Sequence, residues 1–132
     1  MRININSIYV DDQDKALAFY TGVLGFVKSR EIPVGEFRWL TLRSPQGGDT
    51  ELSLEPNANP IARTYQEALM AAGIPITAFQ SDDIEAEVKR LRVHGVSFTV
   101  DPKRSGPVTI AVFADTCGNL IQIYQAHGEG SG

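Results

Sequence analysis

The side chains best suited to chemistry are few, and their spacing limits what they can do. There are two histidines, His94 and His127, and one cysteine, Cys117, in 132 residues. A zinc site rich in histidine, or an iron site of two histidines and a carboxylate, needs imidazoles brought together on facing elements. His94 falls at the end of a predicted helix and His127 near the chain terminus, so neither site is expected. A catalytic thiol needs an adjacent base or a helix N-terminus. Cys117 lies in the turn-forming run Asp115-Thr116-Cys117-Gly118-Asn119 and reads as an inert turn thiol. A lone cysteine makes no intrachain disulfide and fits a reducing, cytoplasmic compartment. The Lys89, Arg90, Arg92 cluster reads as a solvated helix face, with His94 favourable to the helix C-terminus.

The elements that must carry these residues follow from periodicity. Residues 3–10 read as a strand, with Asp11 or Asp12 as the cap of a helix. Ala16, Leu17, Tyr20, Val23 and Leu24 recur on one face of that helix, and Gly25 stops it. Strands are expected at 26–32, 37–43 and 50–55. Asn59-Pro60 opens a connecting helix over about 60–72, closed by Gly73. The pattern then returns: a strand at 75–81, Asp82 or Asp83 as cap, and Ile84, Val88 and Leu91 at helical spacing before Gly95. Strands follow at 96–101, 107–114 and 119–125.

The return is a repeat. Val10-Asp11-Asp12 leads through a helix to Leu24-Gly25-Phe26, and Ser81-Asp82-Asp83 leads through a helix to His94-Gly95-Val96. Gly48 and Gly118 precede the matching final strands. Two units of strand, helix and three strands therefore make an α+β fold of two βαβββ modules, curved into a mixed sheet that encloses a cleft with helices outside. Module one spans 1–57, the connecting helix 58–73 and module two 74–127, together one domain over 1–127. The remaining 128–132 read as a disordered tail.

Composition narrows the partners. The net charge is −4, with no basic stripe for phosphate, so nucleic acid is not expected. No run approaches the length of an apolar membrane span, and no secretory leader is evident.

The segments YVDDQDKALAFYTGVLGF (9–26), TELSLEP (50–56), FQSDDIEAEVKRLRVHGVSF (79–98) and AVFADTCGNLIQIYQ (111–125) resemble the vicinal oxygen chelate superfamily. That superfamily holds glyoxalases, bleomycin-resistance proteins and extradiol dioxygenases. The resemblance implies paired glyoxalase-like modules and, for metal-dependent members, four ligand positions. Carried over, these fall on Ile5, Glu51, Ile76 and Gln122. Two hydrocarbons, one carboxylate and one amide do not make a transition-metal site, so no metal and no other cofactor is expected.

Strand alternation then places Ile5, Ser7, Tyr9, Glu51, Ser53, Ile76, Ala78, Gln122 and Tyr124 inward, with Trp39 or Arg38 from the third strand according to register. Ile5, Ser7, Tyr9, Trp39, Glu51, Ile76, Gln122 and Tyr124 are the candidate ligand-binding residues. Glu51 beside Ile5 and Ile76 is expected to be partly desolvated, with a raised pKa, which makes it the candidate catalytic base. It alternatively pairs with an arginine or points to water. The resemblance implies a metal-free binder of a small organic ligand. A lyase, isomerase or dioxygenase-type enzyme using Glu51 as base or ligand is the alternative, so enzyme status stays open. An interaction subunit with a vestigial cleft is a third reading. Many relatives pair modules across a two-fold interface, which implies a homodimer. Whether the modules pair within or between chains is open at this point.

Overall fold

A computed structural model describes residues 1–127; the tail expected at 128–132 lies outside the described residues. The first module contains β1 (Ile5–Val10), α1 (Gln13–Ala18, continuing as a π-helical turn Phe19–Val23), β2 (Val27–Val34), β3 (Phe37–Arg43) and β4 (Glu51–Pro56). Then come α2 (Pro60–Ala72), β5 (Thr77–Gln80), α3 (Ile84–Val93), β6 (Phe98–Ser105), β7 (Val108–Ala114) and β8 (Leu120–Ala126). The fold is α+β with two βαβββ modules. Among the described residues, no helix is long and apolar enough to cross a membrane.

Each helix begins where a short polar side chain can satisfy free backbone N–H groups. Asp12 accepts from the Lys15 amide at 3.0 Å, Asn59 from the Ile61 amide at 2.9 Å and Asp83 from the Ala86 amide at 3.1 Å. The choice left open within each Asp-Asp pair thus goes to the second aspartate. Pro60 takes the first helical position, and Gly73 ends α2 in the left-handed conformation at φ 71°.

The strands form two four-stranded mixed sheets, ordered β1-β4-β3-β2 and β5-β8-β7-β6. In each, the first and last strands of the module pair in parallel and the rest are antiparallel. The β5 strand is shorter than expected, beginning at Thr77. The β6 strand starts two residues later than expected and runs on to Ser105, with register shifts on the way.

Alternation sets one face of each sheet against the helices. Ile8, Val10, Leu40, Leu42 and Leu54 pack there with Ala16 and Tyr20, and Ala111, Phe113, Ile121 and Ile123 pack with Ile84, Val88 and Leu91. Phe19, Leu24, Ile76 and Phe79 touch both clusters, so the modules of one chain share a core. That answers the question of pairing for the helix-side faces: they meet within the chain. Arg90 adds a polar tie, donating to the Val23 carbonyl at 2.8 Å and the Leu24 carbonyl at 3.2 Å. The expected solvated role of the basic cluster is therefore incomplete. One of its guanidiniums serves the C-terminus of the other module's helix, where free carbonyls attract cations.

Candidate functional site

The opposite faces of the two sheets carry the candidate residues. On the first sheet, Ile5 stands opposite Glu51, Ser7 opposite Ser53 and Tyr9 opposite Glu55. Thr41 adjoins Ser53, and Arg43 adjoins Glu51. Their chain neighbours Ile8, Val10, Leu40, Leu42 and Leu54 are buried on the other side. On the second sheet, Ala78 stands opposite Gln122, and Tyr124 lies between Gln80 and Ile110. The third-strand ambiguity resolves to Trp39, with the Arg30 guanidinium 5.0 Å above its ring. Arg38 points to the other side, where it pairs with Asp14 and Glu31 at 2.8 Å each.

Ile76 is placed differently from the other candidates. It precedes β5, holds its register through an amide bond to the Leu120 carbonyl at 2.9 Å, and packs against both core clusters.

Glu51 is where expectation and structure part. Its carboxyl is held below its ordinary value, not above it. The leading cause is the neighbouring Thr41 hydroxyl; Ser29 and the positive charges of Arg30 and Arg43 add to it and together outweigh burial. Arg30 Nε stands 3.8 Å from Glu51 Oε1. Ser29 is available because a register shift in β2 between Lys28 and Arg30 re-aims the strand there. The expectation of a desolvated, basic Glu51 fails because two arginines and two hydroxyls, distant in sequence, surround it.

Thr41 is fully buried, and its Oγ1 lies near the carboxylate without a hydrogen bond of ordinary geometry. Its burial closes the hydroxyl to solvent, and it acts on the Glu51 carboxylate from beneath. Beside it, the Ser53 hydroxyl donates to Glu55.

The four family ligand positions do not fit a metal. Ile5 and Ile76 offer no donor, Gln122 offers an amide, and the Glu51 carboxylate is engaged by its neighbours. Among the described residues, no three of histidine, cysteine, aspartate and glutamate converge as a metal-ligating group.

A pocket of about 240 Å³ opens at the seam between the modules. Phe26, Leu42, Leu52 and Phe79 form its apolar part, with Arg43, Glu51, Thr50 and Thr77 among its polar residues. Of the eight candidates it takes only Glu51. A larger but open depression runs along the outer face of α3, from Asp83 to Val93.

Sequence reasoning missed a buried polar knot. Asp115, fully buried, accepts from the Tyr20 hydroxyl at 2.6 Å, the Cys117 amide at 2.7 Å, the Asn119 amide at 3.0 Å and Asn119 Nδ2 at 2.8 Å. Gln66, on α2 and 2% exposed, donates to the Tyr9 carbonyl and Asn119 Oδ1 at 3.0 Å and approaches the Cys117 carbonyl at 3.1 Å. A single polar residue on the otherwise apolar, buried side of a helix was the available signal. Cys117 sits inside this knot. Burial first, then the charge of Asp115, pushes its thiol up to about 12, as suits an inert thiol.

The profile of the Glyoxalase/Bleomycin resistance protein/Dioxygenase superfamily matches residues 2–123. The uncharacterized YurT protein of Bacillus subtilis (strain 168) is 55% identical over 126 residues, covering 95% of this chain and 99% of its own. Among solved structures, UcmS2 superposes with a TM-score of 0.81 at 30% identity, over 94% of this chain and 97% of its own. TnmS3, described as an antibiotic binding protein from Streptomyces sp. CB03234, gives 0.76 at 29% identity, over 96% of each chain.

Proposed function

The chain belongs to the Glyoxalase/Bleomycin resistance protein/Dioxygenase superfamily, and from that premise we propose that it binds a small organic molecule on its open sheet faces without a metal. The observation that carries this reading is the state of Glu51. The one ionisable donor among the four family positions has Arg30 Nε 3.8 Å away and Arg43 opposite it in the ladder, and Thr41 first, then Ser29 and the two arginines, lower its proton affinity. A carboxylate of lowered proton affinity is a weak general base and a good hydrogen-bond acceptor. The binding reading is therefore favoured over a lyase or isomerase that would draw a proton with Glu51.

Tyr9, Trp39 and Tyr124 supply aromatic walls. Ile5, Ser7 and Gln122 complete the proposed ligand-binding set, with Ile76 supporting β5 from the core side. The antibiotic-binding description of TnmS3, at 29% identity, supports a small-molecule ligand.

The protein is proposed to act as a cytoplasmic homodimer. Ile5, Ile32, Val34 and Phe37 are each at least 40% exposed and lie on or beside the first sheet. A second copy covering them would close the cleft that one chain leaves open.

The test uses the protein's one tryptophan. A panel of aromatic antibiotics is screened for thermal stabilisation with and without EDTA, and Trp39 emission is followed. The expected result is at least one ligand that raises the melting temperature and changes Trp39 emission equally in both conditions. Stoichiometric zinc, iron, nickel or manganese in purified protein, or ligands that stabilise without touching Trp39 emission, would sink the reading.

A further inference from the structure

We propose that the seam pocket is a second binding site, bordering the open sheet faces at Glu51 and Arg43, for a single-ring aryl carboxylate anchored by Arg43. Its apolar part is built by Leu42, Leu52, Phe26 and Phe79, side chains on the core side of the sheets, opposite the face that carries Tyr9 and Trp39. The Phe26 and Phe79 rings meet edge to face at 5.2 Å between centroids, one from each module. An aromatic ring entering between them extends an arrangement the quadrupoles already favour.

Size sets the ligand class. A dry cavity of roughly 150 Å³ accepts benzene. About 240 Å³ therefore suits one ring with a short acidic substituent.

Charge sets the sign. Glu51 at the rim has Arg30 as its ion partner at 3.8 Å. Arg43 stands opposite Glu51 in the ladder, yet among the described residues it enters no ion pair. Arg43 and Glu51 are the charged groups of the lining, and a guanidinium outside any ion pair can grip a carboxylate through two parallel hydrogen bonds. The Thr50 and Thr77 hydroxyls and Asn6 line the same pocket and can complete the carboxylate's hydrogen bonds. A cationic ligand cannot use that two-bond grip and is disfavoured.

Sodium phenylacetate titrated into isotope-labelled full-length protein tests this, with phenethylamine as the cationic control. Saturable shifts are expected at Phe26, Phe79, Leu42 and Leu52, with phenethylamine binding at least tenfold more weakly. Arg43→Gln should weaken phenylacetate about tenfold. Ala78→Phe, which adds a ring at an exposed position lining the pocket, should abolish binding with the melting temperature kept. The proposal is overturned by any of four results: no saturation at millimolar phenylacetate, shifts centred on Trp39 and Tyr124, equal binding of phenethylamine, or an Arg43→Gln protein that binds like the parent. Failure here leaves the open-face reading intact, because Trp39, whose emission that assay follows, does not line the pocket.

Discussion

At the scale of the residue, surroundings decide what a functional group can do. From sequence, Glu51 reads as a desolvated base because Ile5 and Ile76 are expected beside it. In the fold it is a stabilised carboxylate. The sign of its pH dependence follows. A carboxyl whose folded pKa lies below its ordinary 4.5 contributes stability that is fully present above that value. The contribution drains away as pH falls below 4.5 toward the folded pKa. Chemical denaturation from pH 6 to pH 3 should therefore show parent protein losing stability faster than Glu51→Gln. Equal slopes would mean the carboxylate gains nothing from Thr41, Ser29 and the two arginines. Cys117 makes the complementary case. With its pKa at about 12 and its side chain buried, it should resist a thiol reagent at pH 8 in native protein and react at once in denaturant. Rapid labelling without unfolding would contradict the burial.

Among the elements, the β7–β8 turn matters more than its length suggests. Gly118 has φ 100°, and a Cβ there would sit 2.6 Å from Gln66 Nε2. That nitrogen is not free to retreat, because it is bonded to the Tyr9 carbonyl and to Asn119. Gly118→Ala should destabilise the protein by about 2–3 kcal/mol through backbone strain and the broken knot. Gln66→Leu should cost a similar amount, roughly 2–3 kcal/mol, because it strands buried partners of the amide. Urea midpoints measure both, and a loss under about 0.5 kcal/mol for either would show the knot to be slack. The repeat, the caps and the glycine stops were legible because each is a local signal. Asn59-Pro60 and Gly73 frame α2 as expected. The role of Gln66 was not legible, since the partners of its amide nitrogen lie 51 to 57 residues away.

For the whole molecule, the shared core makes one cooperative unit of two similar halves. Phe19, Leu24, Ile76 and Phe79 belong to both clusters, and Tyr20 of the first module donates to Asp115 of the second. Thermal unfolding followed by Trp39 emission in module one and by far-ultraviolet dichroism should coincide in a single transition. Separate midpoints would show the modules melting independently. Tyr20→Phe should lower that single midpoint without splitting it, since the apolar contacts remain. Size-exclusion chromatography with light scattering should give the mass of two chains; a single-chain mass at micromolar concentration would remove the proposed closure of the cleft by a second copy.

The order of elements, the internal repeat and the faces of β1, β4 and β8 were decided by the sequence alone. Period-two alternation and helical spacing are properties of neighbours along the chain, and a buried strand face leaves no freedom to slip by one residue. The seam pocket, the charge state of Glu51 and the knot around Asp115 were decided only by tertiary structure. Each depends on groups from distant segments meeting at a few ångströms, where electrostatic and hydrogen-bond energies vary steeply with distance, and no local pattern encodes those distances.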